Sequence, residues 1–176
     1  LDIAVHTIIA SFFLSHSIRT DTKLHLVFAG RPDPVKHIIM QPKIEGKTGV
    51  DKIYFSKKNV STIIKKILYK FKEGVKNEVF PGYFIERKSL MQLVKELTSN
   101  GKTIYVLDKK GTDIRTVKIQ EDPIFLLGDH DGLPSKELKA LKKHCTPVSI
   151  GKKTYFASQT VSIVNNELDR REEGIQ

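Results

Sequence analysis

The chain has 176 residues, 39% hydrophobic and 28% charged, with a formal net charge of +10. That is the length of one domain, or at most two small ones, with enough apolar matter for a core, which excludes intrinsic disorder, collagen-like repeats and mucin-like stalks. The longest apolar run, around residues 7–14, falls far short of the ~20 needed to span a membrane, and the single cysteine, Cys145, permits neither an internal disulfide nor a cysteine-based zinc site. A cytoplasmic protein built as a single domain over 1–176 is expected. Because the numbering opens at Leu1 and not at Met, an N-terminal segment is expected to precede it.

Residues 3–16 have the length and apolar content of a helix that ends at His16-Ser17. Lys23–Ala29 alternates and stops at Gly30-Arg31-Pro32, which predicts a buried strand and a turn. A short strand is expected at His37–Met40. After Ser56 comes the clearest helix, in which Val60, Ile63, Ile64, Ile67, Leu68 and Phe71 recur at three- and four-residue spacing and Gly74 marks the stop. Its other face carries Lys58, Lys65, Lys66, Lys70 and Lys72.

That helix lies inside the most basic part of the chain. Between Lys36 and Lys76 there are 11 lysines and 3 acidic residues (Glu45, Asp51 and Glu73), so most of the net charge sits in one stretch. Clustering of this kind favours a polyanion, nucleic acid above all, over lysines that merely keep the protein soluble. A membrane surface is the weaker reading, because no exposed aromatic anchors are interleaved with the basic residues.

Further on, residues 88–99 form an amphipathic helix closed by Asn100-Gly101, and Thr103–Leu107 a strand. A weaker strand is expected at 114–119 and a stronger one at Pro123–Leu127. Pro134-Ser135 opens a short lysine-rich helix to about Lys143, Pro147–Ile150 is a strand, and 156–170 is a final helix with Val161, Val164 and Leu168 inward. Strands alternating with helices predict an α/β fold, a mostly parallel sheet with helices on both faces.

Familiar catalytic signatures are missing: the sequence has no Gly-x-Gly-x-x-Gly, no Walker loop and no nucleophile elbow. Of the six scattered histidines only His130 has carboxylates beside it, Asp129 and Asp131, and a solvated acidic turn is favoured there over a metal or hydrolase site. No metal is expected. Two segments do have the form of ligand loops. Pro123–Pro134 (PIFLLGDHDGLP) and Val148–Thr160 (VSIGKKTYFASQT) each run from a buried strand through glycine into a helix start. In open α/β sheets ligands sit past the carboxyl ends of strands.

Together these two segments resemble the second and third motifs of the SPOUT RNA methyltransferases, whose C-terminal loops tie a deep trefoil knot. Leu1-Asp2, Phe12–Asp21 (FFLSHSIRTD), Leu127–His130, Gly132-Leu133-Pro134, Ala157-Ser158-Gln159 and Asn165 to Arg171 extend the match. They are similar to the archaeal tRNA pseudouridine N1-methyltransferases. The resemblance covers nearly the whole chain. It implies S-adenosylmethionine as cofactor, tRNA as partner, N1 of pseudouridine 54 in the T-loop as target, and a homodimer.

By that resemblance Leu107, Gly128, Ile150, Gly151, Lys152, Lys153, Thr154, Tyr155 and Thr160 form the cofactor cradle. Asp2, Arg19, Asp21 and Asp129 are the residues expected to handle the substrate, a carboxylate accepting or steering the N1 proton and a guanidinium meeting a phosphate or carbonyl. Lys65, Lys66 and Lys70 are expected to contact RNA. Read without the family, Gly128 and Gly151 are turn residues, Leu107 is core, Arg19–Asp21 is a surface ion pair and Asp2 is a helix cap. One departure stands out: Thr160 occupies the place where the family is expected to carry cysteine. An RNA-binding module without catalysis, or an enzyme acting on a pseudouridine of ribosomal RNA, are the alternatives.

Overall fold

The computed structural model describes residues 1–30, 34–42, 57–129 and 132–174. The chain divides into two compact units, Leu1–Leu90 and Met91–Gln176.

In the first unit, helix α1 (Asp2–Phe12) and helix α2 (Lys57–Tyr69) accompany four strands. These are β1 (Leu24–Phe28), β2 (Lys36–Met40), β3 (Asn77–Phe80) and β4 (Tyr83–Glu86). The sheet runs β1-β2-β4-β3 and every pairing in it is antiparallel. This differs from the mostly parallel sheet expected, and chain length gives the reason. Only residues 29–35 separate β1 from β2, and Pro81-Gly82 alone separates β3 from β4. A parallel crossover needs a dozen residues or more. The β3–β4 hairpin is absent from the sequence reading. Gly82 turns it at φ 79° and donates its N–H to Glu78 Oε1 at 2.9 Å.

Alternation along β2 and β4 turns Ile38, Met40, Tyr83 and Ile85 to one face, where they join Val5, Ile8 and Phe12 of α1 and Val60, Ile64 and Ile67 of α2 in the core. Helix α1 stops at Phe12, four residues before the expected end. Phe13 is extended, a turn closes from Leu14 N to Ser17 O (3.0 Å), and Arg19 N donates to Phe12 O (2.7 Å).

The second unit holds α3 (Leu90–Ser99), β5 (Ile104–Asp113), β6 (Ile124–Leu126), α4 (Ser135–Leu141), β7 (Thr146–Ser149) and α5 (Ala157–Glu172). Here the sheet, ordered β6-β5-β7, is parallel as expected. Strand β5 runs six residues beyond the predicted end. Leu107 and Thr112 both pair with Val148, so residues 108–111 bulge out between them. Gly111 then lies flat on the neighbouring strand: a Cβ there would stand 2.5 Å from Val148 N.

The strand expected at 114–119 is not formed. Residues 114–116 are a turn. The segment's backbone meets β7 at one point, where Ile114 N donates to Ser149 O at 2.8 Å, and side chains add to that hold: Tyr105 Oη accepts from Gln120 N at 3.0 Å, and Arg171 of α5 donates to Val117 O at 3.1 Å and to Ile114 O. In α5, Val164 is buried as expected, whereas Val161 and Leu168 are half-buried.

Candidate active site

Three parallel strands place their carboxyl ends along one edge of the second unit's sheet, which brings Leu107-Asp108, Leu127-Gly128 and Ser149-Ile150 to that edge. Gly128 and Ile150 open loops, while Leu107-Asp108 leads into the bulge of β5. After β6, Gly128 is pressed against its own returning chain, where a Cβ would lie 2.6 Å from Leu133 N. Gly132, at φ 77°, donates its N–H to Asp129 O at 3.1 Å and closes the loop. Glycine is required at Gly128 by close approach and at Gly132 by conformation. His130 and Asp131 lie outside the described residues. Asp129 is exposed.

After β7, the hydroxyl of Ser149 organises the turn, accepting from Gly151 N at 3.1 Å and donating to Gly151 O at 3.3 Å. Gly151 sits at φ 119° with open space where a side chain would be. Lys152, Lys153, Thr154 and Tyr155 are exposed and carry the chain into α5. At the start of that helix Gln159 Oε1 accepts from Phe156 N at 3.0 Å. Thr160 is buried one turn in, and its N–H is committed to Phe156 O at 2.9 Å.

Sequence reasoning passed over Asp108. It ends the buried part of β5, beside Leu107, and its carboxylate takes an ion pair from Lys142 and the N–H of Lys110 at 3.1 Å. Lys142, then the Lys110 amide, hold its carboxyl below the usual aspartate value. A carboxylate directly after a run of buried strand residues was the available signal. Cys145 is buried, and burial pushes its thiol up to about 11. It is a neutral packing group with no nucleophilic role at ordinary pH.

The remaining predicted residues belong to the first unit. Asp2 is the first residue of α1, with Leu1 as the N-cap, so the capping alternative is not what the helix shows. Its carboxylate is exposed and lies 3.5 Å from His6 Nε2, one turn on. Arg19 pairs with Asp21 at 3.5 Å, and Thr22 Oγ1 donates to Asp21 Oδ1 at 3.2 Å. The Arg19 side chain is only 10% exposed, so this is no ordinary surface pair. Lys65, Lys66 and Lys70 are exposed. Among the described residues no cluster of three metal-ligating side chains occurs, and no helix is long and apolar enough to cross a membrane.

A parallel sheet that ends in glycine-bounded loops, with main-chain groups and little side-chain signature, is the arrangement with which α/β proteins bind ligands at their strand ends. The fold is shared with Archaeoglobus fulgidus Nep1, solved bound to S-adenosylhomocysteine. The TM-score is 0.51 over 98% of this chain and 71% of that one, at 14% identity. Residues 1–173 match the model of the SAM-dependent RNA methyltransferase family, and the chain belongs to that family. Its relatives include the tRNA (pseudouridine(54)-N(1))-methyltransferase of Thermococcus kodakarensis, 31% identical over 96% of this chain and 85% of that protein. The protein of the same name from Methanocaldococcus jannaschii is 32% identical over 97% of this chain and 84% of its own.

S-adenosylmethionine is thus the cofactor, and the residues present fit it. The open space beside Gly151 would let a ligand approach the backbone, the half-buried Leu107 would offer it an apolar side chain, and loop amides and carbonyls suit an adenine edge.

Proposed function

We propose that this chain methylates N1 of pseudouridine 54 in the T-loop of tRNA. The observation that carries the reading is the near full-length similarity to two archaeal proteins named for that reaction, joined to strand-end loops that suit the donor. Leu107, Gly128, Ile150 to Tyr155 and Thr160 hold the cofactor. When bound, S-adenosylmethionine supplies an activated methyl group, so the protein has chiefly to align the acceptor and remove a proton.

Pseudouridine is joined to its sugar through carbon, which leaves N1 as a free N–H. Bound S-adenosylmethionine would supply the methyl group that N1 receives, and the carboxylate of Asp2 would accept the N1 proton. Arg19, held by Asp21, steadies a phosphate or a uracil carbonyl, and Asp129 fixes the base by its edge. Lys65, Lys66 and Lys70 hold the tRNA backbone. A homodimer, a knotted C-terminal region and a cytoplasmic location are parts of the same proposal.

Two measurements test it. Calorimetry should show S-adenosylmethionine binding, and its absence would leave an RNA-binding module without catalysis. Methyl transfer should occur to tRNA with pseudouridine at position 54 and not to the same tRNA with uridine, whose N1 is bonded to the sugar. A ribosomal RNA methylated in its place would reassign the substrate.

A further inference from the structure

Helix α2 presents one face to the core and one to solvent. Val60, Ile64 and Ile67 are fully buried, while Thr62, Lys65, Lys66 and Tyr69 form the opposite stripe, with Lys70 directly after. Tyr69 is 86% exposed, the most exposed large apolar side chain among the described residues. A tyrosine on such a stripe gains almost nothing from folding. The helix contains no acidic residue. Between Lys57 and Lys76 the one carboxylate is Glu73, and it is engaged by Arg87. Lys66 and Lys70 stand one turn apart, a like-charge spacing that costs an isolated helix a few tenths of a kcal/mol, so nothing in the helix itself explains the pattern.

The neighbouring aromatic rings differ from Tyr69. Lys36 Nζ covers Phe71 and Lys76 Nζ covers Phe84, each 5.2 Å from the ring centroid. Among the described residues no lysine lies over Tyr69, and its ring is open. An open ring flanked by unneutralised lysines is the arrangement with which proteins grip single-stranded nucleic acid: cations track the phosphates and an aromatic side chain receives a base. Lysine suits the first task because it meets phosphate as a flexible point charge without reading sequence.

We propose that Tyr69 stacks on an unpaired base of RNA, while Lys65, Lys66 and Lys70 hold the phosphates on either side. This rests on the reading of the chain as an enzyme of RNA and assigns its basic helix a second element of recognition. The sequence showed no aromatic anchor among the lysines because exposure of Tyr69 is a property of the fold. A lipid surface is disfavoured: the apolar stripe of α2 is already spent in the core, leaving nothing to insert into a bilayer interface. Duplex RNA is disfavoured because its bases are stacked on one another.

The chain has no tryptophan, so Tyr69→Trp installs a sole indole at the site. Its emission should be quenched by single-stranded oligoadenylate and not by a blunt RNA duplex of equal length. Tyr69→Ala should weaken oligoadenylate binding by about tenfold with the salt dependence unchanged, and Tyr69→Phe should restore it. Replacing Lys65, Lys66 and Lys70 by Gln together should instead lower the slope of log affinity against log salt by roughly two. If the lysine variant loses affinity while Tyr69→Ala binds like wild type and the indole is silent, stacking is overturned and the phosphate surface stands. Loss of binding to phosphatidylserine vesicles in Tyr69→Ala, with RNA binding untouched, overturns the inference in favour of a membrane. The enzymatic reading falls separately, if wild-type protein fails to bind S-adenosylmethionine or to methylate pseudouridine.

Discussion

Nδ1 of His25 lies 2.9 Å from Nε2 of His37, the two rings stacked within 10° of parallel. His37 is fully buried, and its Nδ1 lies 3.0 Å from Glu86 Oε1, which also takes Lys88 Nζ at 2.9 Å. The tautomers follow from the last carboxylate. Glu86 accepts, so His37 carries its proton on Nδ1 and accepts at Nε2, and His25 must donate from its own Nδ1. A proton added to His37 Nε2 would break the chain.

The first prediction concerns acid stability. Burial, then the positive charge that His37, Lys23, Lys76 and Lys88 direct at it, pushes His25 down to about 4. Burial likewise lowers His37, against a smaller upward pull from Glu86. In the unfolded chain both titrate near 6.5. As pH falls below that value the unfolded state binds protons that the folded state refuses, so stability drops from about pH 6.5 towards 4. Glu86 adds to the loss. Burial raises its carboxyl, but the bonds from Lys88 and His37 prevail and leave it below the usual glutamate value. Melting temperature measured against pH should fall over that window, and His25→Gln, which keeps a donor for His37 but cannot titrate, should flatten the decline. An equal decline in the variant would remove His25 from the account.

Three glycines should resist substitution, for two different reasons. Gly111→Ala drives a Cβ into the backbone of Val148, and Gly128→Ala drives one into Gly132-Leu133. Neither neighbour is a side chain that can swing aside, so each change should cost the second unit at least about 2 kcal/mol. Gly132→Ala meets nothing within 4 Å but must hold φ 77°, a strain of about 1 kcal/mol. Thermal unfolding should show Gly111→Ala and Gly128→Ala each destabilised more than Gly132→Ala.

Asp2→Asn tests the proton acceptor. The exposed carboxylate loses its charge but little of its shape, so the variant should fold and bind S-adenosylmethionine normally. It should transfer methyl groups to pseudouridine-containing tRNA at least ~100-fold more slowly, the scale of general-base catalysis. Near-normal turnover would leave Asp2 as a helix residue paired with His6.

Cys145 should be inert. With its thiol pushed up to about 11 by burial, alkylation by iodoacetamide at neutral pH should be slow in the folded protein and fast in denaturant. Cys145→Ala should retain methyl transfer. An inactive but folded alanine variant would show that the thiol has a chemical task.

Light scattering tests the dimer. The half-buried Val161 and Leu168 on α5 leave apolar surface that a second copy would cover. A dimeric mass at working concentration is expected, and a monomeric mass would end the claim.

What the sequence determined by itself was local. The 3.6-residue recurrence of Val60, Ile64 and Ile67 built α2, and the pattern of strand, glycine and helix start placed both loops of the candidate cofactor site, because neighbours along the chain decide those features. Which strand pairs with which was not local. Ile38 meets Ile85 across the first sheet, and apolar alternation reads the same whether the partner runs parallel or antiparallel. Only that pairing set His37 opposite Glu86, 49 residues away, and only the packing of α5 brought Arg171 onto the carbonyls of Ile114 and Val117. The exposure of Tyr69 was decided in the same way. Helical phase allowed it to face outward, but the fold had to leave that face of α2 uncovered.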